Sequence, residues 1–210
     1  RSSAAQMVTL CAASGLALLE AGGAGGGAET LPPSEPPAVG VLKQATAAAD
    51  GDLTVDALNS GPQNRYARLT TDAVKGDQQL VLTTVEAARL NPLKAGDLLL
   101  VMQAQGALID STDADAYGTV SDLQGAGLFE EVGVRAVVPN PSLGIVTLQL
   151  DGSCGELRNS YSMAGKSQVV RVPQYGTLTV QSGGAIRAQK WNGTTGGVLA
   201  LRAQKIVVES

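Results

Sequence analysis

Apolar and polar positions turn strongly strand-like from Asn64 onward. "RYARLTT" alternates, and "QQLVLTTV" is a Leu-rich and β-branched run launched by the turn "KGD". "AGDLLLVMQAQ" is a second such run. "LFEEVGVRAVV" and "LGIVTLQL" are separated by "PNPS", a turn with two prolines, and "SQVVRVPQY" follows "MAGK". Turn signals recur about every 10 residues, a spacing that predicts an all-β barrel or sandwich rather than alternating strands and helices. Only "TTVEAARLNPL" reads as a helical turn, closed by Pro92.

The last third follows another rhythm. Leu178 and Val180 alternate with Thr177 and Thr179, Gly183-Gly184 turns the chain, and Ile186 and Ala188 repeat the pattern. After "KWNGTTGG" come Val198, Leu199 and Leu201, then Ile206 and Val208. Strands this short do not make a stable sheet alone. They make sense as successive rungs of a β-solenoid, a right-handed β-helix, where each coil is stabilised by the next. The predicted fold is therefore all-β. A small antiparallel β-barrel or sandwich over 64–175 leads into the first rungs of a β-solenoid over 176–210.

Ahead of this lies a different composition. Residues 1–24 have a basic start, an apolar run from Met7 to Leu19, and small residues at Ala21, Gly22, Gly23 and Ala24. That is the layout of a secretory signal peptide. Cys11 lacks the preceding small residue of a lipoprotein signal, so no lipid anchor is expected. Residues 25–63 read as a Gly-rich then Pro-rich linker and an unassigned segment, with "DLTVDAL" its one candidate strand. The chain starts at Arg1 and stops at Ser210 within a regular pattern, so both ends read as cut.

Composition narrows the chemistry. The 210 residues include 26 glycines, one Phe, one Trp and no histidine, and the net charge is −4. The 15 basic residues are scattered, which argues against nucleic-acid binding. No apolar stretch reaches the roughly 18 residues that span a bilayer as a helix. Without histidine, Ser-His-Asp and Cys-His catalysis are excluded. "GGAGGG" sits in the linker and is not a phosphate cradle. Cys154, in "LDGSCGEL", reads as a small loop residue.

Three sites stand as candidates. Asp110, Asp113 and Asp115 in "IDSTDADAYG" offer closely spaced oxygens to calcium, although the spacing is not that of an EF-hand. Calcium there is the sole cofactor considered. Glu130 and Glu131 are neighbours on a strand and face opposite ways, so they do not form a paired-acid site on their own. Tyr175 and Trp191 are the candidate ligand-binding aromatics of a carbohydrate platform. The competing reading makes Trp191 a cap over the first rungs and "NGT" at Asn192 a tight turn. "RVPQY", with Arg171, Gln174 and Tyr175, reads as the junction between barrel and solenoid, and Pro173 marks the strand end.

"AGDLLLVMQAQGALIDSTDADAYG", "GAGLFEEVGV", "QVVRVPQYGTLTV" and "WNGTTGGVLALRA" occur in that order. Together they resemble the amino-terminal region of large secreted surface proteins of myxobacteria and related bacteria, some labelled adventurous gliding motility proteins. The resemblance spans roughly Asn64 to Val208 and supplies no catalytic set. It implies export, a cell-surface or extracellular setting, all-β structure, and a glycine-rich continuation. The expectation is a secreted bacterial surface protein, structural or adhesive, without catalysis in this chain. Its partners would be a cell-surface or extracellular polymer, or other surface proteins. The alternative is a polysaccharide-active lyase or hydrolase on a β-helix, using Asp110, Asp113 and Asp115 with Lys190 or Arg187.

Overall fold

A computed structural model describes residues 48–151 and 156–209. The expected signal peptide, most of the linker, Cys11 and Cys154 lie outside the described residues.

The fold is all-β. In chain order the strands are β1 (Leu53–Val55), β2 (Gly61–Pro62), β3 (Arg65–Arg68), β4 (Gln79–Thr83), β5 (Leu98–Gln103), β6 (Leu108–Ile109) and β7 (Val120–Asp122). There follow β8 (Phe129–Asn140), β9 (Ile145–Asp151), β10 (Ser167–Val172), β11 (Gln174–Val180), β12 (Ile186–Arg187) and β13 (Arg202–Val208). One short helix, α1 (Thr84–Arg89), occupies the predicted helical turn. Thr83 caps it by accepting the Glu86 N–H at 3.4 Å.

Six strands form one antiparallel sheet in the order β3-β10-β5-β8-β9-β4, curled into a half-barrel. The long β8 gives its first part to β5 and its second to β9. A register shift between Val134 and Ala136 bends it where it changes partner. The two edge strands are tied across the opening. Thr70 Oγ1 donates to the Val81 carbonyl at 3.3 Å and accepts from Thr83 N–H at 3.1 Å. Glu86 of α1 accepts the free Arg68 N–H of β3 at 3.1 Å.

Both sheet faces are covered. One packs Leu80, Leu82, Leu99, Val101, Val134 and Leu148 against Leu90 at the end of α1 and Tyr161. The other packs Tyr66, Leu98, Leu100, Val170 and Val172 under Val198 and Ala200. Central β5 is thus apolar on both sides, which explains why "LLLVM" reads as an unbroken run and not as alternation.

The remaining strands run parallel. β11 lies between β1 and β13, and β12 pairs with β2. Leu53 sits beside Leu178 and Gly61 beside Ile186, the same displacement of 125 residues that separates the hydrogen-bonded pairs Asp52–Thr177 and Ser60–Ala185. Residues 53–62 and 178–187 are therefore equivalent layers of one stack, with the whole six-stranded unit between them in sequence. β13 adds a third layer, with Gln174 beside Arg202 and Val180 beside Val208. Residues 53–62, part of the stretch read from sequence as linker and unassigned segment, supply this first layer. Val55, Tyr175 and Leu178 form the buried centre of the stack, with Leu53, Ile186 and Leu201 against them. Gly184 is required there: a Cβ on it would lie 2.4 Å from the Val55 carbonyl oxygen.

Candidate functional site: the junction of sheet and stack

β10 ends at Val172 and β11 begins at Gln174, so Pro173 divides the antiparallel sheet from the parallel stack. At this corner Arg171 is buried. Its Nε donates to Asp97 Oδ2 at 3.0 Å and its Nη2 to Asp97 Oδ1 at 3.1 Å and Asp50 Oδ1 at 2.6 Å. Asp50 Oδ2 accepts the Gln174 N–H at 2.8 Å. Asp97 also accepts from the Lys94 N–H at 2.9 Å and pairs with Lys94 Nζ at 3.2 Å. Burial on its own would raise the Asp97 carboxyl. The hydrogen bonds and charge of Arg171 and Lys94 outweigh it and hold the carboxyl below the usual carboxylate range. Desolvation pulls Arg171 the other way, but its two aspartates hold its pKa above the ordinary value. One guanidinium therefore joins the loop before the stack, the loop before β5 and the end of β10.

The segment from Lys190 to Leu201 is a second element of the junction. The sequence predicts a short strand from Val198, Leu199 and Leu201; the structure has none between β12 and β13. The segment is instead bound by side chains of the curled sheet. Gln168 pairs with the Gly196 backbone in both directions, donating at 3.0 Å and accepting at 2.9 Å. Asn64 does the same to Ala200, accepting at 3.1 Å and donating at 2.5 Å. Tyr66 Oη donates to the Val198 carbonyl at 2.5 Å and accepts from Gln189 N–H at 3.3 Å. Burial raises the Tyr66 phenol, with the Gln189 amide acting the other way. These bonds replace a neighbouring strand and seat Val198 and Ala200 over the apolar face.

"WNGTT" is a turn. Asn192 Oδ1 accepts from Thr194 N–H at 3.0 Å, Thr194 Oγ1 at 2.9 Å and Thr195 N–H at 2.9 Å, while Gly193 takes φ of 95°. Trp191 is 37% exposed and belongs to none of the buried clusters. Tyr175 is 8% exposed and packs inside the stack with Val55 and Leu178. A buried ring offers no open face to a sugar, so the two aromatics do not form the expected platform. Burial, and then the Asp50 charge, push the Tyr175 phenol up.

The acidic loop is likewise not assembled as a metal site. Asp110 Oδ1 is engaged by Thr112, from N–H at 2.8 Å and Oγ1 at 2.6 Å, and those bonds lower its pKa. Asp113 and Asp115 are exposed. Among the described residues, no three His, Cys, Asp or Glu side chains converge on a metal position. Arg187 lies on β12 and Lys190 opens the segment from Lys190 to Leu201, while the three aspartates lie on the β6–β7 loop.

Glu130 and Glu131 do face opposite ways. Glu130 is buried and accepts from Arg158 N–H at 2.9 Å, Asn159 N–H at 3.0 Å and Tyr161 Oη at 3.0 Å. Glu131 pairs with Arg202 of β13. Among the described residues, no buried side-chain polar atom lacks a partner. The buried carboxylates are thus fully engaged in holding backbone and cations, and the arrangement acts as a clamp. Asp50, Asp97, Asn64 and Gln168 escape sequence reasoning, because their partners lie tens of residues away or more.

No family model matches this chain, and no curated protein matches it. Among solved structures, the chain is similar to the tailspike gp61 of Pseudomonas phage phi297, with 15% identity and a TM-score of 0.30. The match covers 77% of this chain and 24% of that one, so it spans about a quarter of the tailspike's length. No helix of the described residues is long and apolar enough to cross a membrane.

Proposed function

We propose that this chain is part of a secreted bacterial surface protein with a structural or adhesive role, associated with gliding motility, whose parallel layers are the first coils of a β-solenoid. One observation carries the reading. Three layers keep a fixed parallel register, Val55 beside Val180 beside Val208. Such stacking extends by adding equivalent coils and yields a rod that displays surface along its length. The clamped junction suits that role: Arg171 holds Asp97 and Asp50, and each aspartate in turn accepts a backbone N–H. The partners of such a rod are an extracellular polymer or other surface proteins.

The test is localisation of the protein expressed with its native leader. Recovery in the surface fraction or medium, with digestion by protease added to intact cells, is expected. Retention in the cytoplasm overturns the proposal.

A further inference from the structure

Between Gln103 and Phe129 the chain leaves the six-stranded sheet as an arm built on the β6–β7 hairpin. Every residue of both strands is exposed. The arm is nonetheless well ordered by hydrogen bonds. Near its tip, Asp110 N–H donates to Thr119 O at 2.9 Å and Gly118 N–H to Asp110 O at 2.8 Å. At its base, the buried Gln103 amide donates to Gln105 O and Gln124 O, each at 2.8 Å, and accepts from Ser162 N–H at 2.9 Å. Gly165 presses on that amide so closely that a Cβ would fall 2.2 Å from its nitrogen. The base of the arm is thus tied to the end of β5 and to the turn at 162–165.

What the arm lacks is an interior. Leu108, Ile109, Tyr117, Val120, Leu123 and Phe129 are 49% to 72% exposed. Ile109 and Val120 are cross-strand partners and share a face. A two-stranded hairpin gains little stability in water by itself, and apolar groups concentrated on a preshaped element mark a surface that another molecule covers. Charge identifies the occupant. From Gln103 to Val134 the chain has no Lys or Arg, and the arm carries Asp110, Asp113, Asp115 and Asp122. An arm-to-arm contact with a second copy would set these aspartates against their own kind.

We propose that the arm docks onto an apolar strip flanked by Lys or Arg on a partner protein. The apolar side chains cover the strip, and the aspartates pair with its flanking cations and set its orientation. This goes beyond the surface-protein reading and does not depend on it.

The test measures binding of the full chain to a synthetic peptide alternating Lys and Leu, by fluorescence anisotropy. Peptides alternating Lys and Ser, or Glu and Leu, are the controls. The Lys-Leu peptide is expected to bind at least about tenfold tighter than either control. The exposed pair Ile109→Ser and Val120→Ser should erase that advantage with an unchanged melting temperature, while Leu143→Ser, exposed but off the arm, should keep it. Equal binding of the Lys-Leu and Lys-Ser peptides overturns the proposal, as does undiminished binding by the double variant. So does a sedimenting dimer that the double variant abolishes, since that gives the face to a second copy.

Discussion

Arg171 and Asp97 meet through two parallel hydrogen bonds of 3.0 and 3.1 Å, with side chains 7% and 1% exposed. Removing one partner strands the other in a poorly hydrated corner. Asp97→Asn is therefore expected to cost about 3 kcal/mol in urea unfolding, as broken buried pairs do. The same variant should alter the acid limb. The folded carboxyl titrates below its unfolded value of about 3.9, so its contribution is fully present above that pH and is lost as pH falls through the folded value. Wild-type stability falls in that window, and Asp97→Asn should flatten the fall. An equally steep acid limb in both proteins would place the sensitivity elsewhere.

Gly184→Ala tests the contact between the first two layers. The added methyl meets the Val55 carbonyl oxygen, a backbone atom that cannot swing aside. A loss of about 1–3 kcal/mol is expected, the usual cost of overpacking. Hydrogen exchange should rise first in Leu53–Val55 and Leu178–Val180. Unchanged protection there would show that the layers separate easily.

Tyr161→Phe probes the buried carboxylate of Glu130. Burial, and next the Glu130 charge, push the Tyr161 phenol well above its ordinary value. Its neutral form is the one the fold favours, so stability is full below about pH 10 and declines as pH rises past the unfolded value. The variant should lose about 1–2 kcal/mol at neutral pH through the missing O–H donor. It should also lose that alkaline decline, measured as melting temperature against pH.

The turn at residues 191–195 separates two roles within one motif. Asn192→Ala removes three accepted hydrogen bonds and should cost about 1–2 kcal/mol. Trp191→Ala removes a side chain outside the buried clusters and should change stability by less than about 1 kcal/mol. A reversed order, by chemical denaturation, would make the indole a packing element after all.

The legible part of the fold is the part made by local pattern. β4, β5, β8, β9 and β10 fall on apolar runs, and α1 falls on the single helical turn, because the residues that define each element are neighbours in sequence. The parallel stack is less legible, since β1 finds its partner across the full six-stranded unit. One signal is present: "LTV" occurs at 53–55 and again at 178–180, the two stretches that pair. The docking segment leaves no such trace. Asn64, Tyr66 and Gln168 reach backbone atoms, and a backbone acceptor looks the same whichever side chain carries it. Aromatic chemistry pairs Tyr175 with Trp191 but says nothing about burial, and burial separates them. The acidic loop is legible as a loop but not as an Asp110–Thr112 turn, which engages Oδ1 of Asp110.

The layers before and after the six-stranded unit are bonded directly to each other, which sets the path of tension through the molecule. A pull applied at residue 48 and at residue 209 loads the rows of hydrogen bonds between β1, β11 and β13 in shear. The curled sheet lies on a side branch of that path, coupled to it at one corner where Asp50, between residue 48 and β1, holds Arg171 at the end of β10. That clamp therefore takes up load together with the rows.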